Sequence, residues 1–329
     1  MPAKPKSPFP DPAATLPGEA DILANVLADL SDHDAKLVYA DWLEEHGDKR
    51  GPLLREFVTA YRAGKRLPKV TSAPKPWRDL VGITLIAKLR GTPLEPRANQ
   101  LLALARPALT FKSVKAPEKS LPVGASKFGG QPDIPPNAEW PIWTRGTLAF
   151  LAQFNLADLA GMVCSELPDS GVLSVFYDPV GDVFGKPDKG GWRIFYFPDV
   201  ATVARREWPE TLPDAARFAP CRLSFAETIT LPDLDSPWAK ELAFGDDAMT
   251  SAYQELHSDP GLGHRLLGYP DPLQRDMLEK KTMRHLLTID SDDKPGWMWG
   301  DTGLLYFTIS ESNLRSQRFD RVRFEFQCC

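Results

Sequence analysis

Long apolar runs are what this chain lacks most. No stretch of about 18 apolar residues occurs in its 329, so no segment reads as a membrane-spanning helix. Residues 1–18 are rich in proline and have no apolar centre, which excludes a secretory signal there and leaves the cytoplasm as the expected compartment. Cysteine is scarce: Cys164, Cys221, Cys328 and Cys329, with no C-x-x-C pair. That excludes a zinc knuckle, a thioredoxin-like motif and a disulfide framework, and the four read as reduced thiols. The terminal Cys-Cys does not match a C-a-a-X lipidation box. The five histidines, His33, His46, His257, His264 and His285, contain no H-x-x-x-H pair. No G-x-S-x-G elbow occurs, and neither Gly185-Lys186-Pro187 nor Gly190-Gly191 supplies a phosphate-binding P-loop.

The hydrophobic content, 43%, is that of an ordinary globular protein, and the length suits two domains. The net charge of −5 is unevenly spread. Residues 1–110 carry 16 Lys and Arg against 13 Asp and Glu, whereas residues 111–329 carry 23 against 31. An acidic larger domain repels phosphate at long range, which argues against a general nucleic-acid binder.

The pattern along the chain divides it into four parts. Residues 1–18 form a proline-rich arm expected to be disordered. Residues 19–65 carry three amphipathic helical stretches. Ile22, Leu23, Val26, Leu27 and Leu30 share one helical face; Ser31-Asp32 offers an N-cap for the next helix and Gly47 its stop; Pro52 opens the third, whose face is Leu53, Leu54, Phe57, Val58 and Tyr61. Residues 66–106 hold two further helical stretches, 77–89 and 96–105, assigned to a helical connector. Residues 107–329 form the β-rich domain, in which from Phe111 the period changes to short apolar runs separated by Pro, Gly and Asp. The clearest strands are expected at 148–154, 172–177, 192–197, 222–230, 285–289, 303–309 and 319–327, with helices at 158–162 and 237–256. Few helical crossovers separate the strands, so the sheet is expected to be antiparallel and the fold class α+β: a small three-helix domain followed by a mainly antiparallel β domain.

The β domain carries an internal echo. Leu151-Ala152-Gln153-Phe154-Asn155 aligns with Leu286-Leu287-Thr288-Ile289-Asp290, and the glycine-led Gly171-Val172-Leu173 with Gly303-Leu304-Leu305, at offsets of 135 and 132 residues. Two related halves are one reading; chance similarity of apolar strands is the other.

Candidate chemistry is sparse. Asp290, Asp292 and Asp293, with Asp301 downstream, place carboxylates at the spacing of a Ca²⁺ or Mg²⁺ loop, but lack the glycine and distal glutamate of an EF-hand; a solvated turn is the preferred reading. His257 and His264 flank a glycine-rich loop with Asp259 between them; a metal site is one reading and a structural role the preferred one. Trp140, Trp143, Trp297 and Trp299 fall on Pro/Gly-rich loops, where an indole either packs or anchors a binding surface. Gln153, on an apolar strand, is expected to be buried and therefore hydrogen-bonded.

Two resemblances sharpen this. The segments Gly129-Gly130-Gln131-Pro132-Asp133-Ile134-Pro135, Leu148-Ala149-Phe150-Leu151-Ala152-Gln153-Phe154, Leu266-Leu267-Gly268-Tyr269-Pro270 and Met298-Trp299-Gly300-Asp301-Thr302-Gly303, in that order, resemble the YwqG-like family, a bacterial domain of unknown function. Leu37-Val38-Tyr39-Ala40-Asp41-Trp42-Leu43-Glu44-Glu45-His46-Gly47-Asp48 resembles the repeat-companion domain, a short unit fused to many partners. The first resemblance, over 107–329, implies a β-rich domain of two halves and, through similarity to eukaryotic domains that escort ribosomal proteins, a protein-binding or chaperone-like role. Toxin immunity is a second implied setting. It carries over no catalytic residue. Where the family often has a second glutamine this chain has Thr288, so a function needing two equivalent glutamines is in doubt.

The expected function is therefore non-catalytic capture of a protein segment, without cofactor, membrane or nucleic acid. Trp140, Trp143, Gln153, Tyr269, Trp299 and Asp301 are the candidate binding residues, and pairing to an exposed strand edge is the expected mode. The alternatives are a metal-dependent enzyme built on Asp290, Asp292, Asp293 and Asp301, with Ca²⁺ or Mg²⁺ as cofactor, and a toxin-immunity protein.

Overall fold

The structure is a computed structural model that describes residues 13, 15–159, 162, 166–181, 183–257 and 263–328. Most of the expected proline-rich arm, Cys164, Cys329 and the glycine-rich loop at 258–262 lie outside the described residues. The chain forms two compact units. One comprises Met1–Leu109, Gly161–Val163 and Ala226–Gly261; the other comprises Thr110–Ala160, Cys164–Phe225 and Leu262–Cys329.

The first unit is helical. Helices α1 (Glu19–Ala28), α2 (His33–Glu45) and α3 (Arg50–Arg62) follow the apolar periodicity. Asp32 caps α2 by accepting from the amides of Asp34 and Ala35 at 2.9 Å, and Gly47, at φ +70°, follows its end. Next come α4 (Lys75–Leu80), α5 (Ile83–Leu89) and α6 (Ala98–Leu104). The single helix expected at 77–89 is broken because Gly82 adopts φ +77°. Likewise 237–256 divides into α7 (Pro237–Leu242) and α8 (Asp247–His257) where Ala243 turns to φ +43°. One core gathers Leu23, Leu43, Phe57, Trp77, Leu101 and Tyr253. One buried polar network in it is linked: Arg50 pairs with Glu19 at 2.8 Å, Tyr39 donates its hydroxyl to Glu19, and the Trp77 indole donates to Tyr39 at 3.0 Å.

The second unit is built on a sheet. In chain order its strands are β1 (Arg106–Lys115), β2 (Lys127–Phe128), β3 (Asp133–Ile134), β4 (Ile142–Trp143), β5 (Gly146–Thr147), β6 (Ala149–Asn155) and β7 (Val172–Tyr177). Then come β8 (Trp192–Phe197), β9 (Ala204–Arg205), β10 (Cys221–Thr230), β11 (Arg265–Leu267), β12 (Met283–Asp290), β13 (Leu304–Ser310), a short helix α9 (Glu311–Arg315) and β14 (Arg323–Gln327). Strands β1 and β10 are divided between the units. Ten strands form one sheet in the order β14-β13-β12-β11-β1-β10-β2-β6-β7-β8, and the registered pairs within it are antiparallel. The pairs β3–β9 and β4–β5 stand apart. The fold is thus α+β, with a mainly antiparallel β domain after a helical region. Two local expectations are corrected. Residues 319–321 are a 3₁₀ turn, with the buried Phe319 ring against Tyr196, and the last strand starts only at Arg323. The expected helix at 158–162 is a 3₁₀ turn, Leu156–Leu159, followed by residues outside the described set.

The sheet's two halves repeat in register. Gln153 pairs with Ser174 across β6–β7, and Thr288 with Tyr306 across β12–β13. Each first strand carries an irregularity at the matching place, between Phe150 and Ala152 and between His285 and Leu287. On the other side Lys127 pairs with Gln153, and Arg265 with Thr288. The turns after β2 and β11 agree too. Gly129-Gly130 and Leu267-Gly268 both have positive φ, +54° and +69° against +60° and +69°. Each half therefore supplies five strands, β1-β2-β6-β7-β8 and β10-β11-β12-β13-β14. Their first strands are exchanged: β1 lies beside β11 and β10 beside β2.

The two ends of the sheet approach each other, giving a near-barrel. Trp192 of β8 stacks on Phe324 of β14 at 5.3 Å, and its indole donates to the Val322 carbonyl at 3.3 Å. The Phe326 amide donates to the Phe184 carbonyl at 3.0 Å. The 3₁₀ turn before each end strand lies against the end strand of the other half, Phe319–Arg321 on β8 and Lys186–Asp188 on β14.

Candidate functional site

Lys127 and Arg265 are fully buried cations at equivalent points of the two halves, each with its own carboxylate six residues on. Lys127 donates to Glu118 at 3.0 Å and to the Gln131 carbonyl, and lies 3.6 Å from Asp133. Arg265 donates to the Tyr269 carbonyl and to Asp271. In the first half the network is closed by Gln153, whose oxygen accepts the Asp133 amide at 2.9 Å and whose amide donates to Asp133 at 2.7 Å and to the Ala125 carbonyl at 2.8 Å. Arg205 pairs with both Asp133 and Glu118 at 2.5 Å. Burial pulls the Lys127 ammonium below its usual range, against the pull of Asp133 and Glu118. These groups are matched to one another and hold the Gly-x-Pro-Asp turn shut.

The candidate binding residues do not form one surface. Gln153, Tyr269 and Trp299 are buried. Trp140 and Trp143 are half-buried against a small cluster of Ile134, Leu148, Phe150 and Phe176. Their indoles are spoken for: Trp140 donates to the Leu148 carbonyl at 2.9 Å and Trp143 to Asp178 at 2.8 Å. Trp143 lies in β4, not on a loop. Trp299 donates to the Asp290 carbonyl at 3.1 Å and packs on Trp297, itself buried. Asp301 is exposed.

The acidic segment is also pulled apart. Asp292 accepts from Ser113 and, at 3.3 Å, from His264 Nε2. Burial pushes its carboxyl up, but the hydrogen bonds from His264 and Ser113 outweigh that and hold it well below the usual carboxylate range. Asp290 is raised by burial. Among the described residues no three His, Cys, Asp or Glu side chains come together in a metal-holding arrangement. Ser113, His264 and Asp292 do not make a nucleophile–base pair either. The accepting nitrogen of His264, Nδ1, takes the Asp290 amide at 3.0 Å, and both Ser113 and His264 donate to the same carboxylate oxygen. Burial pushes the nearby Cys221 thiol up to about 11.

What the structure does open is a groove of about 610 Å³ where the sheet ends meet. Trp192, Met277, Val322 and Phe324 supply apolar walls, and the 3₁₀ turn at Lys186–Asp188 forms one rim. Its lining was missed in the sequence because Met277 and the cations of the rim come from segments distant in the chain. The Gly-x-Pro-Asp repeat, by contrast, is legible: Gly130-Gln131-Pro132-Asp133 and Gly268-Tyr269-Pro270-Asp271.

A family model described as Domain of unknown function (DUF1963) matches residues 126–328, the whole span from β2 to the end of the β unit. The chain belongs to this family. Comparison with curated proteins found no match. Among the described residues no helix is long and apolar enough to cross a membrane.

Proposed function

We propose that this chain is a non-catalytic binding protein that holds a segment of another protein in the groove between β8 and β14. This reading keeps the YwqG-like resemblance of the β unit, and gives α1–α3, as a repeat-companion-like domain, the role of docking a second partner. The observation that carries it is the groove itself, with apolar walls from Trp192, Met277 and Phe324, set against buried polar groups elsewhere that are tied to each other. Concave apolar surface with polar rims is where segments anchor. The edge of β14 is already blunted. Phe184 takes the Phe326 amide, and a Cβ on Gly185 would lie 3.3 Å from the Phe324 carbonyl. Side chains of the groove, rather than the backbone of a bare edge, therefore carry the affinity in this reading.

The test is a photo-crosslinking amino acid placed at Glu279 on the groove and, as control, at Val114, which is 58% exposed. Irradiation in cells followed by peptide mapping should give discrete protein adducts from Glu279 and none shared with Val114. Adducts identical at both positions, or none at Glu279, would sink the proposal.

A further inference from the structure

We infer that the segment held in this groove is acidic, a stretch of Asp and Glu interleaved with apolar anchors; the inference rests on the binding reading above and adds the chemistry of the partner. The groove is lined by five cations and three carboxylates. Two of the carboxylates are already matched: Glu325 pairs with Arg275 at 3.1 Å, and Asp320 with Arg318 at 2.9 Å and Arg321 at 3.1 Å. Lys186, Lys189 and Arg323 are exposed and make no ion pair among the described residues, and they face only Glu279 as an unmatched acid in the lining. Three unmatched cations on one groove are notable in a region that carries 23 Lys and Arg against 31 Asp and Glu. A random scatter of charge in so acidic a region would leave acids in excess there.

The same geometry argues against polyphosphate. A nucleic acid presents a charge every few ångströms over a long track and meets the field of the whole acidic region. A short peptide meets chiefly the charges within about 8 Å at physiological salt. Trp192, Met277 and Phe324 in the groove favour apolar side chains between the carboxylates. Arg323 can grip a carboxylate with two parallel N–H donors, while Lys186 and Lys189, on and just after the 3₁₀ turn, add point charges at the rim.

The experiment uses the full chain and three fluorescent probes of equal length: a peptide alternating Glu with Leu and Phe, its counterpart with Lys for Glu, and an oligothymidylate. Anisotropy should show the acidic peptide bound, at least about tenfold more tightly than the basic one, and weakened by added salt. The triple reversal Lys186→Glu, Lys189→Glu, Arg323→Glu should abolish that binding and leave the melting temperature unchanged, since the three side chains are exposed. A Met277→Asp variant separates the two ideas. Should the basic peptide bind as well as the acidic one, lose affinity in Met277→Asp and ignore the triple reversal, the charge inference fails while the groove reading stands. Tight oligothymidylate binding lost in the triple variant overturns the acidic-peptide assignment in favour of phosphate. No binding by any probe counts against both.

Discussion

Gln153 and Thr288 stand at the same point of two equivalent hairpins, one facing Ser174 and the other Tyr306. The exchange is compensated. Where Gln153 is long and Ser174 short, the amide reaches Asp133; where Thr288 is short and Tyr306 long, the phenol reaches the Asp271 carbonyl at 2.6 Å. Thr288 turns instead to His285, bonding Nε2 at 2.7 Å. The two halves thus brace the same Gly-x-Pro-Asp turn from opposite strands, and a second glutamine is not needed to do so.

Gln153→Leu should therefore destabilise the β unit by about 2–4 kcal/mol, because the buried Asp133 amide and carboxylate both lose a partner. Chemical denaturation read by tryptophan fluorescence measures this. Gln153→Glu should also destabilise, since it sets a second carboxylate beside Asp133. A change within half a kilocalorie, about the scatter of surface substitutions, would refute the bracing role.

At Gly130 a side chain has no room. Its φ is +69°, and an added Cβ would sit 1.9 Å from a Glu118 oxygen, the one that accepts the Gln131 amide. Gly130→Ala should lower the melting temperature of the β unit by several degrees. Gly64→Ala, also at positive φ but with nothing within 4 Å, should cost only the backbone strain.

Lys36 gives the helical unit a pH dependence. Its ammonium is buried and donates to the Leu30 carbonyl at 2.6 Å; burial lowers its pKa to about 7, with Asp29 and Asp32 opposing. The unfolded chain holds that proton up to about 10.5, so between these values the unfolded state binds more protons and stability falls as pH drops from 10.5 toward 7. Hydrogen exchange of α2 should slow as pH-corrected measurements move from 7 to 9.5. Lys36→Met should flatten that trend and raise stability at pH 7. Persistence of the same slope in the variant would remove Lys36 as its cause.

His285 acts in the acid range. It is wholly buried, donates from Nδ1 to the Leu267 carbonyl at 2.8 Å, and burial, aided by Arg265, lowers its pKa to about 3. Its unfolded value is about 6.5, so the β unit should lose stability as pH falls from 6.5 toward 3, where protonation favours the unfolded chain. Thermal melts from pH 7 to pH 4 should show this. In His285→Gln the slope between pH 6.5 and pH 4 should shrink, and an unaltered slope would assign it to other groups.

Much of the fold was legible in the chain. Helical periodicity and caps gave α1–α3, since side chains four apart share a face and Asp32 can cap only the helix that follows it. Alternation and glycine punctuation gave β6, β7, β8, β12 and β13 nearly to their ends. The repeated Gly-x-Pro-Asp stands out only with Lys127 and Arg265 beside it, whereas the echo around Gln153 and Thr288 was visible. Strands β2 and β11 were not, being two and three residues long, shorter than any period can register.

The exchange of β1 and β10 between halves, the burial of Lys127 and Arg265, and the groove at the ends of the sheet belong to the tertiary structure alone. Periodicity and caps act over a few residues, so the sequence itself settled where elements begin and which face is apolar. A buried cation is recognised only when distant carbonyls and carboxylates close on it, and a groove only when two strand ends more than a hundred residues apart meet. Those are contacts between remote parts of the chain, and only folding decides them.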